Sequence, residues 1–274
     1  MTRYVLMALC ALLCTACSLD DFVTNERGLN EYSVSTLITP DSLIEEFSVL
    51  SGSETIYGLR VRQPALRRVN PHPTIVYHHG NKHHLVEYWD RVELLFRAGF
   101  DVVIYDYRGF GRSTGASTEA SLLADAESVV RWVRERPDVD TAFIYAYGYS
   151  LGGVPALHHA VDLGGVRGIV LESVFSSGAA LVRSGTVLDV PHQWLLGSSY
   201  DNRERASRLR APVLHLHGTD DPFLGYEAHA LPLLDVLPYP RTHIPVKGAV
   251  HNNVPSVMGE DYYMEVITGF IRGN

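Results

Sequence analysis

The chain has 274 residues, 46% hydrophobic and 20% charged, a balance that excludes a disordered or fibrous protein. A formal net charge of −8 lacks the basic footprint that phosphate contacts need, so no nucleic-acid partner is expected. No Pro/Ser/Gly-rich linker or charge block divides the middle of the sequence, and a single core follows.

In chain order, Arg3 precedes a mostly apolar run from Tyr4 to Ala16 that ends in the small residues Thr15 and Ala16. That is the order of a secretory signal, and the run is too short to span a bilayer, so residues 1–16 are set apart from the fold. All three cysteines, Cys10, Cys14 and Cys17, fall here or beside it. The remaining domain must then be held by its hydrophobic core rather than by disulfides. Leu13-Cys14-Thr15-Ala16-Cys17-Ser18 resembles a bacterial lipoprotein signal, in which the cysteine after the small residues is lipidated and becomes the mature terminus. Cys14 departs from that pattern, which prefers Leu, Val or Ile three residues before the modified cysteine. The resemblance implies lipidation at Cys17, export from the cytoplasm and a membrane-anchored place in the cell envelope facing the periplasm. An ordinary cleaved signal implies secretion instead.

Residues 17–42 are expected as a tether, polar and aperiodic from Asp20 to about Thr39. The domain proper is expected over residues 43–274. Phe47 to Leu50 and Ile56 to Val61 flank the turn cluster Ser51-Gly52-Ser53 and predict an opening antiparallel pair. Short apolar runs follow at Thr74 to Tyr77, Val102 to Tyr105, Ala142 to Tyr147, Gly168 to Leu171, Val213 to Leu216 and His243 to Val246, and these predict buried parallel strands. Helical stretches alternate with them at Glu87 to Arg97, Thr118 to Arg134, Leu151 to Val161, Tyr226 to Leu234 and Tyr262 to Ile271. The alternation predicts an α/β class fold, a mostly parallel doubly wound sheet with helices on both faces and its site at the carboxyl ends of the strands. The least regular stretch, residues 173–209, is expected to carry a short cap rather than a large lid. Its Phe175, Leu181, Val182, Leu188, Trp194 and Leu195 are expected to give one shallow apolar wall.

Gly148-Tyr149-Ser150-Leu151-Gly152 matches G-x-S-x-G directly after a predicted strand and directly before a predicted helix. This is the context of a nucleophile elbow, a sharp turn whose flanking glycines avoid clashes while the serine is pushed out. A serine hydroxyl needs a neutral imidazole to take its proton. His251, in Gly248-Ala249-Val250-His251-Asn252-Asn253 just past the last parallel strand, is the candidate; His215 and His217 on a strand and His158 and His159 in a helix are expected as packing residues. The imidazole needs a carboxylate, for which Asp220, Asp221 and the strand-end Glu172 all qualify. The negative oxygen of a tetrahedral intermediate needs two backbone N–H donors, expected from Leu151 and from Asn81 in His78-His79-Gly80-Asn81. The crowd His78, His79, Lys82, His83 and His84 lacks a carboxylate or cysteine at ligand spacing, and no metal is expected there.

Taken together, His79-Gly80-Asn81, Tyr105-Asp106-Tyr107-Arg108-Gly109-Phe110-Gly111-Arg112-Ser113, Gly148 to Gly152, His217-Gly218 with Asp221, and His251 resemble the α/β-hydrolase superfamily over about residues 43 to 272. The Asp-Tyr-Arg-Gly-Phe-Gly-Arg-Ser string is similar to the small, nearly lidless branch of serine-aminopeptidase-like hydrolases and protein depalmitoylases. The resemblance implies the triad Ser150, Asp221 and His251, with Asp221 favoured as the residue three after the glycine. It also implies that Asp106 to Ser113 is a structural loop whose three charged groups hold one another. Lys82 departs from the small residue often found after the Asn81 equivalent. The resemblance is much less specific for substrate; the expected reaction is hydrolysis by water of a carboxylic ester or thioester, of short to medium acyl chain because the cap segment is short, with no cofactor. An acyltransferase or peptidase on the same triad, and a catalytically idle binding protein of the envelope, are the rival expectations.

Overall fold

The computed structural model describes residues 27–64, 72–185 and 198–273. The expected signal with Cys10, Cys14 and Cys17, and the expected wall residues Leu188, Trp194 and Leu195, lie outside the described residues.

Eight strands form one sheet: β1 (Ile44–Ser51), β2 (Glu54–Val61), β3 (Thr74–His78), β4 (Asp101–Tyr105), β5 (Ile144–Tyr149), β6 (Gly168–Glu172), β7 (Val213–Gly218) and β8 (Arg241–Val246), in the order β1-β2-β4-β3-β5-β6-β7-β8. The first pair is antiparallel, β2 meets β4 antiparallel, and every pairing from β4 onward to β8 is parallel. The inner strands β3 to β7 are buried along their whole length, which is why their sequences read as unbroken apolar runs. Pro245, which cannot donate to a ladder, is tolerated because β8 is an edge strand.

Helices cover both faces. On one, α1 (Trp89–Arg97) and the closing α8 (Glu260–Gly273) bury Val92, Leu95, Phe96, Tyr263 and Ile267 against Ile75, Tyr147 and Leu214 of the sheet. On the other, α2 (Glu119–Arg134) buries Leu122, Ala126, Val129 and Val133 against Val76, Val103 and Ile144. The start of α2 is fixed by Thr118, whose hydroxyl accepts from the Ser121 amide at 3.1 Å while the Ser121 hydroxyl accepts from the Thr118 amide at 2.7 Å. Beside α2 lies α3 (Gly153–His158), followed by α4 (Gly178–Gly185), α5 (Asn202–Ser207), α6 (Leu231–Leu234) and α7 (Val254–Met258).

Three boundaries differ from expectation for local reasons. The run from Ala142 starts as a single tight turn, Thr141–Phe143, capped by the Asp140 carboxylate, and becomes strand only at Ile144. The helix expected from Leu151 opens as a tight turn, Ser150–Gly152, and closes as a wider turn, His159–Leu163. The stretch expected as a tether lies on the domain from Arg27 onward: on either side of Gly28, the Leu29 amide donates to the Gly111 carbonyl and the Gly111 amide donates to the Arg27 carbonyl, Val34 is buried, and the indole of Trp89 donates to Thr39 at 3.1 Å.

Candidate active site

The carboxyl end of β5 turns sharply into α3, and Ser150 stands at that turn with φ of 53°, a left-handed conformation that a non-glycine residue adopts only under constraint. The constraint is close packing. A Cβ at Gly152 would sit 1.9 Å from the carbonyl oxygen of His78, and one at Gly148 would meet Ala156 at 2.7 Å, so only glycine at both positions lets the turn lie against β3 and α3.

Two loops from neighbouring strands meet Ser150. His251, beyond β8, accepts from the serine hydroxyl at its Nε2, 3.0 Å away, and its Nδ1 lies 2.8 Å from Oδ2 of Asp221, beyond β7. A carboxylate can only accept, so Nδ1 carries the ring proton and Nε2 is left basic toward Ser150. The other oxygen of Asp221 accepts from the amides of Phe223 at 2.9 Å and Leu224 at 2.8 Å. Burial pushes this carboxyl up, but the hydrogen bond and charge of His251 and these two amides outweigh it, and it lies below the usual range.

The other two carboxylates go elsewhere. Asp220 is exposed and accepts from the hydroxyl of Thr219 at 2.7 Å. Glu172 is fully buried, receives Arg91 on one oxygen and the hydroxyls of Tyr147 and Tyr263 on the other, and does not approach His251. This Arg91 network is part of the site that sequence reasoning missed. Arg91 reads as one more charge on an amphipathic helix, yet it is almost wholly buried, packs its guanidinium 4.5 Å from the ring centre of Tyr149, and donates to the carbonyl of Asn252 at 3.0 Å. Tyr149 donates to the carbonyl of His251 at 3.2 Å. The loop that carries the imidazole is therefore held by two donors from the floor of the site.

Asn81 lines the same cavity as Ser150, in a loop whose neighbours are fixed: Tyr107 donates to the His79 carbonyl at 2.7 Å, and the Lys82 amide donates to Tyr88 Oη at 2.7 Å. Lys82 itself turns outward and pairs with Glu87 at 2.5 Å. The cavity above Ser150 measures about 600 Å³ and combines apolar Tyr88, Tyr149, Pro222 and Val250 with polar Lys82, Glu87, Asp90, Arg91 and Asn252.

Two expectations are corrected. Phe175, Leu181 and Val182 do not wall this cavity; they are buried in the core with Leu151, Tyr200 and Leu224. The charged groups of residues 106–113 do not hold one another either, because each finds a partner outside the loop: Arg108 grips Asp125 at 2.6 Å, Arg112 pairs with Glu46, and buried Asp106 accepts from the Leu85 amide and the Tyr32 hydroxyl, each at 2.6 Å. The loop still needs its glycine, since a Cβ on Gly111, at φ of 50°, would fall 1.7 Å from Oδ2 of Asp106.

Several other described histidines are packing residues. His78 bonds the Tyr105 hydroxyl at 2.8 Å and meets His159 edge-on, His79 lies against Tyr107 and Tyr88, and His215 sits between His217 and His243. Among the described residues no three ligating side chains converge to hold a metal ion.

A mostly parallel sheet with a left-handed serine at the end of a central strand, and a histidine and carboxylate delivered by the loops after the last two strands, defines an α/β hydrolase. The comparisons with known proteins agree. Residues 69–197 match the family of serine aminopeptidases, S33. Protein YfhR of Escherichia coli K12 is 32% identical over 205 residues, 72% of this chain and 69% of that protein. The human α/β hydrolase domain-containing protein 17B is 29% identical over 199 residues, 72% of this chain and 66% of that protein. Among solved structures, the Pyrococcus furiosus esterase Pf2001 superposes with a TM-score of 0.69 over 89% of this chain and 99% of its own, at 16% identity. The chain belongs to the α/β-hydrolase superfamily, and its class of activity is hydrolysis.

Proposed function

We propose that the protein cleaves carboxylic esters or thioesters of short to medium acyl chain through an acyl-Ser150 intermediate. The unbroken hydrogen-bond chain from Ser150 through His251 to Asp221, 3.0 and 2.8 Å long, carries this reading. His251 Nε2 takes the hydroxyl proton as Oγ attacks the acyl carbon, and the backbone amides of Leu151 and Asn81 receive the developing oxyanion. Asp221 stabilises the imidazolium. The leaving alcohol or thiol departs with the proton from His251, and water, deprotonated by the same nitrogen, releases the acid and restores Ser150. Every proton and electron pair is accounted for without a cofactor. The esterase among the structural neighbours is consistent with this substrate class. A fluorophosphonate probe tests it: wild type labels at Ser150 and hydrolyses p-nitrophenyl butyrate, and an unlabelled, inactive wild type overturns it.

The match of residues 69–197 to serine aminopeptidases favours a second reading, cleavage of an amide on the same three residues. Aminoacyl p-nitroanilides compared with p-nitrophenyl esters separate the two by kcat/KM.

For location, we propose export to the cell envelope and lipidation at Cys17, on the strength of the apolar run, the small residues and the cysteine that follows them. Cys17→Ser should move the protein from the membrane to the soluble fraction; a wild type with an unmodified, soluble mature terminus refutes the anchor.

A further inference from the structure

We propose that residues 27–39 form a strap that positions the oxyanion loop, with Tyr32 as its positioning residue. The inference rests on the reading of the Asn81 amide as an oxyanion donor.

The strap is fastened at three points. At its start, the Leu29 amide donates to the Gly111 carbonyl and the Gly111 amide to the Arg27 carbonyl, each at 2.7 Å. In its middle, the Tyr32 hydroxyl donates to Oδ2 of Asp106 at 2.6 Å, and Val34 enters the core beside it. At its end, the hydroxyls of Thr36 and Thr39 donate to Glu93 of α1, and Thr39 accepts from Trp89.

Asp106 makes the middle contact matter for the site. It is wholly buried, and its other oxygen accepts the Leu85 amide at 2.6 Å while the ring of His79 lies 3.4 Å away. Leu85 opens the tight turn Leu85–Tyr88, whose Tyr88 hydroxyl accepts the Lys82 amide next to Asn81. A continuous chain of hydrogen bonds and turn thus runs from Tyr32 through Asp106, Leu85 and Tyr88 to the amide after Asn81. A buried carboxylate that loses a donor reorganises to recover it, because an unpaired buried charge is costly. Without Tyr32, Asp106 swings toward water or its other partners, and the loop from Gly80 to Tyr88 loses its fixed end. Catalysis by preorganised amides is sensitive to this, since their benefit depends on not having to move when charge develops.

Two full-length variants test the proposal. Tyr32→Phe removes the donor to Asp106, and Leu29→Pro removes the amide that fastens the strap without touching Asp106. With p-nitrophenyl butyrate, both should lower kcat about tenfold, a part of what one hydrogen bond to a charged group carries, with KM within about twofold. Hydrogen exchange of the amides from residue 80 to 88 should accelerate in both, read by mass spectrometry. A lower Tm with unchanged kcat and unchanged exchange over those residues overturns the strap as a positioning element and leaves it only a stabilising one. Should wild type hydrolyse no ester or amide, the hydrolase reading fails, and the exchange measurement alone decides the strap: no acceleration over residues 80 to 88 overturns it.

Discussion

Arg91 donates both Nε and Nη2 to a single oxygen of Glu172, at 3.1 and 2.9 Å, and the second nitrogen also reaches the carbonyl of Asn252, next to His251. The pair is buried, so removing one partner strands the other: Arg91→Met should cost roughly 3–5 kcal/mol of stability. Replacing both, Arg91→Met with Glu172→Leu, should recover most of it, because Tyr147 and Tyr263 still bond each other. Turnover should not recover, since the Asn252 carbonyl has lost its donor. Urea unfolding and kcat on the single and double variants check this, and a double variant that regains both stability and turnover reduces Arg91 to a structural residue.

Ser150→Ala should abolish probe labelling and lower turnover roughly 10⁴-fold, because the three residues act as a unit. The backbone at this position adds a second expectation. At φ of 53° alanine is as strained as serine, whereas glycine is at ease. Ser150→Gly should therefore unfold at an equal or higher urea concentration than Ser150→Ala, although at an ordinary helical or strand position glycine is the less stable by roughly 0.5–1 kcal/mol.

The two adjacent aspartates should respond very differently. Asp221→Asn removes the acceptor that holds the proton on Nδ1 and should lower turnover by roughly 10⁴-fold. Asp220→Asn changes an exposed group bonded to Thr219 and should act by less than about threefold. Equal losses in the two variants would remove Asp221 from the mechanism.

The elements that were legible in the sequence are those whose pattern is set by burial alone. Runs such as Val102 to Tyr105 read as inner strands and Gly148 to Gly152 as the turn between one of them and its helix, and the close approaches at Gly148 and Gly152, which admit no side chain, are why glycine stands at both places. What escaped depends on partners distant in sequence. Arg91 and Glu172 are 81 residues apart, Tyr32 and Asp106 are 74 apart, and neither spacing carries a periodic signal. The loop from Asp106 to Ser113 misled for the same reason: its charges are neighbours along the chain, but Arg108 and Arg112 find Asp125 and Glu46 across the fold. Leu181 and Val182 read as cavity wall only because the sequence does not say which side of the short α4 segment faces the core.

Acid should weaken the fold well above the range where carboxylates protonate. Burial lowers His159 to about 3 and His229 to about 4, and lowers His215 and His78 as well. In the unfolded chain each would titrate near its ordinary value of about 6.5. Between about pH 6.5 and 4 the unfolded state therefore binds protons that the folded state refuses, and stability falls with falling pH by about 1.4 kcal/mol per unit for each such histidine. Asp221, whose carboxyl is held low, contributes stability that is lost only as pH drops below the ordinary carboxylate value, outside this window. The urea midpoint should drop steeply from pH 7.5 to 5, and less steeply in His159→Gln; a midpoint that stays level across that range contradicts the buried neutral state of these rings.

The length of acyl chain accepted follows from what surrounds Ser150. Among the described residues, the cavity of about 600 Å³ takes its apolar contact from Tyr88, Tyr149, Pro222 and Val250, and it also carries the charged Lys82, Glu87 and Asp90, with Arg91 at its floor. Phe175, Leu181 and Val182, which could have extended an apolar wall, are committed to the core. Each methylene buried against apolar surface contributes about 0.8 kcal/mol, or about fourfold in kcat/KM, whereas one left beside the charged groups contributes nothing. Across p-nitrophenyl acetate, butyrate, hexanoate, octanoate, laurate and palmitate, kcat/KM should climb over the first few carbons and then level or fall beyond about eight. Val250→Ala and Pro222→Ala, which remove apolar contact without reaching the reacting atoms, should flatten the climb and leave acetate nearly unchanged. A maximum at palmitate would show that the chain is buried along a path other than this cavity, and the short-acyl reading would be abandoned.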